Sequence, residues 1–218
     1  GPKVVIIAPA ERMNAAAANA LLKTLEEPPP RTYIMLVSDQ PRRIPVTLTS
    51  RCRRVPLARP APAPAIEWLA AQRVASPELM LAQAGGAPLL ALALADAEVQ
   101  RERSFWLSAL SQPARLAPVQ LAARIDAMPR DARRMLLARV VDWLIAWCGD
   151  IAALRAGSRD LRNPDHTAAL GTLAGAVAPL PLFRYHRALL GQRALLSHPL
   201  QPRLVAEALL IEYRTLFT

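Results

Sequence analysis

Residues 3–36 read KVVIIAPAERMNAAAANALLKTLEEPPPRTYIML, and this stretch decides the fold class. Residues 3–7 form a continuous β-branched run, the pattern of a strand buried on both faces of a parallel sheet. Asn14 offers a helix N-cap, and residues 15–27 are rich in strong helix formers. Leu21, Leu22 and Leu25 share one face of that helix, and Pro28-Pro29-Pro30 ends it, because proline cannot donate to the helical ladder. Residues 32–37 read as a second buried strand. Strand, helix and strand in that order imply a parallel α/β unit, since parallel neighbours need a crossover between them.

Beyond the second strand, Ser38-Asp39-Gln40-Pro41 is a polar break, and a short segment with Pro45 and Thr47 leads into Ser50-Arg51-Cys52. Pro56, Pro60, Pro62 and Pro64 then alternate with other residues, mostly alanine, in a stretch that reads as a semi-rigid linker rather than a helix. Everything after it is helical in pattern. Residues 65–73 make a short amphipathic helix, Ser76-Pro77-Glu78 looks like an N-cap with proline at the first helical position, and Gly85-Gly86 closes the next helix. Residues 88–110 read as one or two helices, followed by helices at 118–128, 129–155, 166–177, 182–196 and 202–217, with prolines at or near most of their starts. The expected architecture is mainly α with a partial α/β unit. Its segments are an α/β portion at 1–58, a small helical domain at 59–102, and a helical bundle at 103–218.

Composition narrows the function classes. The chain is 53% hydrophobic but only 5% aromatic, which suits helices packed through alanine and leucine. The net charge is +10, and apart from Lys3 and Lys23 every basic residue is arginine. That charge fits an acidic partner such as nucleic acid, and equally the arginine and alanine bias of a GC-rich genome. Cys52 and Cys148 show no CxxC or Cys/His spacing, so neither a zinc site nor a disulfide framework is indicated, and a reducing cytoplasm is expected. The most apolar stretch, residues 140–148, contains Asp142 and is far shorter than the roughly 20 apolar residues that cross a bilayer. No membrane association is expected. Trp143 and Trp147, four residues apart beside Leu136, Val140, Leu144 and Ile151, read as core. Arg51, taken alone among Arg42, Arg43, Arg53, Arg54 and Arg59, would be one more solvated arginine.

The block from Lys3 to Val55 resembles the second half of the AAA+ module of bacterial DNA polymerase III clamp-loader subunits. The resemblance rests on Glu11-Arg12-Met13-Asn14, on the NALLKTLEEPP helix beginning at Asn19, and on Ser50-Arg51-Cys52 after a Pro-Val-Thr segment, all in one order. It implies a C-terminal portion of such a subunit, with the remaining segments as a helical lid (59–102) and a collar that mediates oligomerisation (103–218). Gly1-Pro2 reads as a protease-cleavage remnant, and no GxxxxGK[ST] phosphate loop occurs in these residues.

The resemblance also implies roles. Residues 3–7 would be the Walker B strand, which ends here in Ala8-Pro9, where the family carries the carboxylates that hold magnesium; Glu11 lies further along and does not replace them. Ser38 matches the residue that senses γ-phosphate, as a vestigial position. Gly85-Gly86-Ala87-Pro88 occupies the stretch where an active subunit's lid presents an arginine, and has none. These departures imply a non-hydrolysing member of the family rather than an ATPase paralogue such as gamma or tau. No cofactor is expected on this chain itself. Arg51, with Ser50 and Cys52 shaping its loop, would be an arginine finger reaching in trans to ATP and magnesium at a neighbouring subunit. The expected partners are the gamma/tau and delta subunits, the sliding clamp and primer-template DNA. The chain would act within the holoenzyme, not as a catalyst alone. Two other readings stay open: a fragment of an ATPase subunit, and a basic helical module that binds nucleic acid by itself.

Overall fold

A computed structural model describes residues 1–196 and 201–218. The chain divides into two compact units, Gly1–Ala58 and Arg59–Thr218.

In the first unit, β1 (Lys3–Ile7) pairs in parallel with β2 (Thr32–Leu36), in a register running from Lys3 opposite Thr32 to Ile7 opposite Leu36. Helix α1 (Ala15–Glu26) makes the crossover, and Asn14 caps it as expected, its Oδ1 accepting from the Ala17 N–H at 2.8 Å. Glu27 is the C-cap, directly before the three prolines. The segment from Pro45 to Ser50, which carried no helical expectation, contains a one-turn helix, α2 (Val46–Thr49). Ala10, Ala18, Ile44 and Leu48 form the core, flanked by half-buried Ile7, Leu21, Leu22, Leu25 and Leu36.

The strands differ from the expected double-sided burial. Val4, Val5 and Ile6 of β1 and Tyr33 and Met35 of β2 are exposed, and only alternate residues of β2 are half-covered. A β-branched run records a sheet with layers on both faces, and the two described strands have one helix and its flanking turns to cover them.

The second unit contains two hydrophobic cores. The smaller is built by α3 (Pro62–Ala71), α4 (Pro77–Gln83) and α5 (Pro88–Leu94) around Ala65, Leu69, Met80, Leu81 and Ala91. Pro62 and Pro64, read from sequence as linker, lie in the first turn of α3. The first helical N–H groups have no intrahelical partner, so proline there costs no hydrogen bond. Ser76 is not the side-chain N-cap its sequence suggested: it stands in the left-handed region at φ 53° and makes no capping bond.

The larger core is formed by α6 (Ala97–Leu110), α7 (Pro118–Asp126), α8 (Arg130–Arg155), α9 (Thr167–Ala176), α10 (Pro179–Leu195) and α11 (Pro202–Thr215). Trp143 and Trp147 are buried in it. The Trp147 indole donates to the Tyr213 hydroxyl at 2.9 Å, and that hydroxyl donates to the Leu110 carbonyl at 2.8 Å, tying α8, α11 and α6 at their centre. No single described helix is long and apolar enough to cross a membrane.

Among the described residues the buried polar side chains are Gln83, Arg103, Asp150 and Asn163; the last three belong to one connected group, while the Gln83 side chain pairs with Gln100 and only its backbone carbonyl joins the group. Arg103 pairs with both oxygens of Asp165 at 2.6 and 2.9 Å and donates to Asn163 Oδ1 at 2.7 Å. Asn163 donates twice to Asp150, from backbone and side chain, at 2.8 Å each. Arg162 donates its backbone N–H to Asp150 and its guanidinium to the Gln83 carbonyl, so the group extends from the large bundle to α4. Burial raises the Asp150 carboxyl above its ordinary range against these hydrogen bonds. At Asp165 burial pushes the same way, but Arg103 outweighs it and holds the carboxyl low.

Candidate arginine-finger site

Ser50-Arg51-Cys52 sits at the C-terminal end of α2. Proline at 45 sets the entry, and a single helical turn brings Ser50 to the cap position, its hydroxyl donating back to the Thr47 carbonyl at 3.1 Å. That bond consumes the serine's proton and leaves no activated nucleophile. Cys52 is half-buried, and residues 1–58 contain no histidine to act as its base. Cys148 is fully buried, and burial pushes its thiol far up, so it is inert.

Arg51 points outward, its side chain 39% exposed, and is nevertheless fixed. Nη1 donates to the Thr47 carbonyl at 3.0 Å and approaches Ser50 Oγ at 3.4 Å; Nη2 lies 2.7 Å from Oε1 of Glu26 at the end of α1. The sequence picked out the arginine but not this carboxylate, which is distant in the chain and carried only the signal of helix-ending acid. Arg42 and Arg43 form a separate 3-10 turn.

Ser38 lies in the loop just after β2 rather than within a strand, with its hydroxyl accepting from the Gln40 N–H at 3.0 Å. Glu11 occupies the 3-10 turn after β1, where the Ser38 hydroxyl and its own backbone hold the carboxyl below its ordinary range. One Glu11 oxygen is enclosed without a hydrogen-bond partner. Glu11 and its neighbour Asp39 are the carboxylates here, and with alanine and proline at the strand end they fall short of the several hard oxygen ligands that magnesium takes in octahedral array.

At the glycine turn between α4 and α5, Gly85 and Gly86 have φ of 59° and 82°. No arginine follows them in sequence, yet the fold brings two: Arg59 donates to the Gly85 carbonyl, and the Arg162 guanidinium packs over Gly85. Sequence could not place them, because both come from distant segments. His166 packs edge-on to Trp147, with ring centroids 5.5 Å apart, beside Asp165; His198 lies outside the described residues.

A partial AAA+ α/β unit that presents an arginine loop, continued by helical domains, is the class defined by this fold and site. Sequence comparison makes it particular. The profile of the family described as "DNA polymerase III, delta subunit" matches residues 1–61. DNA polymerase III subunit delta' of Pseudomonas aeruginosa is 37% identical over 151 residues, 67% of this chain and 44% of the relative. The same subunit of Escherichia coli K12 is 33% identical over 183 residues, 82% of this chain and 53% of the relative. Subunit tau of Bacillus subtilis is 46% identical over 57 residues, 26% of this chain and 10% of the relative. The chain belongs with the delta' subunits of bacterial DNA polymerase III, and spans about half the length of the curated relatives it matches.

Proposed function

We propose that this chain is the C-terminal portion of a non-hydrolysing clamp-loader subunit that supplies Arg51 in trans to a neighbouring ATPase subunit. The observation that carries this reading is the pairing of a presented, oriented Arg51 with a β1 strand that ends in Ala8-Pro9. During phosphoryl transfer negative charge spreads over the γ-phosphate oxygens, and a guanidinium placed beside them stabilises that charge without itself reacting. Magnesium and ATP belong to the neighbour, where the metal neutralises the phosphates. Ser50 and Cys52 shape the loop, and Ser38 is a vestigial sensor position. In this reading the partners are gamma/tau and delta subunits through the 103–218 bundle and the Arg51 face. The assembly loads the sliding clamp on primer-template DNA in the cytoplasmic, nucleoid-associated replisome.

The test is Arg51→Ala in the full-length subunit, reconstituted with its ATPase partners. Turnover at the adjacent ATP site is expected to fall by about 10³-fold or more. Unchanged DNA-dependent hydrolysis would remove the finger assignment.

The tau similarity supports a second reading, in which the chain derives from an ATPase subunit. Robust ATP turnover by the isolated full-length subunit would favour it.

A further inference from the structure

Glu26 is the last residue of α1, where an acid opposes the helix macrodipole and does nothing for the helix itself. Its carboxylate instead lies 2.7 Å from Arg51 Nη2. With side chains 39% and 51% exposed, such a pair adds little to stability. What it does fix is direction. Arg51 is held at Nη1 by the Thr47 carbonyl and at Nη2 by Glu26, while Nε has no acceptor among the described residues. A free arginine side chain samples many rotamers, and this one is reduced to few, with its Nε edge left for an anion.

We infer that Glu26 is a positioning residue, which orients the Arg51 guanidinium for the phosphate of the neighbouring subunit. This rests on the finger assignment above. Glu26 touches neither the nucleotide nor the reacting atoms; it acts by lowering the ordering cost that Arg51 would otherwise meet on docking. Its place at the end of α1 also means that the NALLKTLEEPP helix and the Ser50-Arg51-Cys52 loop, adjacent motifs in sequence order, form one device.

Three variants of the full-length subunit, assembled with its ATPase partners, test the inference. Glu26→Ala is expected to lower kcat at the adjacent ATP site by about 10- to 100-fold with KM for ATP little changed, the loss typical of a misplaced catalytic group. Glu26→Gln keeps a hydrogen-bond acceptor and is expected to restore part of that rate. Glu26→Ala combined with Arg51→Ala is expected to be no slower than Arg51→Ala alone. A merely structural role for Glu26 would instead lower the subunit's melting temperature and act equally on the Arg51→Ala background. Unchanged or faster turnover in Glu26→Ala, with Arg51→Ala still slow, overturns the positioning role and leaves the finger intact. If Arg51→Ala itself turns over normally, both assignments fall.

Discussion

At His166, half-buried beside Trp147 and Asp165, solvation and charge oppose each other. Burial lowers its pKa below the usual 6.5, and the Asp165 carboxylate only partly offsets this. The folded chain therefore resists a proton that the unfolded chain accepts. Stability from this group is present above about 6.5 and is lost as pH falls from there through the depressed folded value. Asp165, also held low, adds a second loss, but in the carboxylate range below it. Thermal melts between pH 8 and pH 5 should show Tm falling on acidification. In His166→Gln the part of that slope above the carboxylate range should flatten; an unaltered slope would assign it to other groups.

Among the elements, the glycine turn between α4 and α5 separates two costs that usually come together. Gly85→Ala forces a side chain into the left-handed region and sets its Cβ about 3.3 Å from the Arg162 guanidinium, whereas Gly86→Ala meets only the backbone strain. Each should lose about 1–2 kcal/mol from the backbone alone. Gly85→Ala should lose more in urea denaturation, by whatever the Arg162 contact contributes. The elements themselves were largely legible in sequence, because periodicity and proline placement act locally: α1, its Asn14 cap, both strands and most of the proline-led helices stand where the pattern puts them, while α3 and α10 begin at Pro62 and Pro179, ahead of the expected starts at 65 and 182. Properties that depend on distant neighbours were not. The exposure of Val4 and Ile6 depends on layers outside these strands. Ser76 was misread because Ser-Pro-Glu signals a cap but says nothing of φ, and the one-turn helix α2 is too short to show a period. Glu26 and Arg51 meet only once α1 and α2 have folded together.

For the second unit as a whole, the Arg103 group is the feature with the widest reach, since it joins α6, α8, the 162–165 loop and α4. Arg103→Ala would leave the partly exposed Asp165 without its cation and the buried Asn163 Oδ1 without its donor, a loss of about 1–3 kcal/mol, the cost of an unsatisfied buried polar group. Equilibrium urea unfolding of the Arg59–Thr218 unit measures it. A loss below about 1 kcal/mol, the scale of a solvated surface pair, would show that water replaces the arginine readily. None of this group was foreseen from sequence, where Arg103 was one arginine among many, and only its burial sets it apart.

The bond from Trp147 to Tyr213 has an optical consequence. Trp68, Trp106, Trp143 and Trp147 all fall within Arg59–Thr218, and two of them are fully enclosed. Indole emission from this chain is thus a signal from the helical unit alone, in which the enclosed Trp106 and Trp147 emit at short wavelength and are quenched or reddened as that unit opens. The unit that carries Arg51 has Tyr33 as its one native fluorophore and is dark in the tryptophan channel. A melt followed at tryptophan wavelengths can look complete and cooperative while reporting nothing on the segment where the proposed chemistry resides.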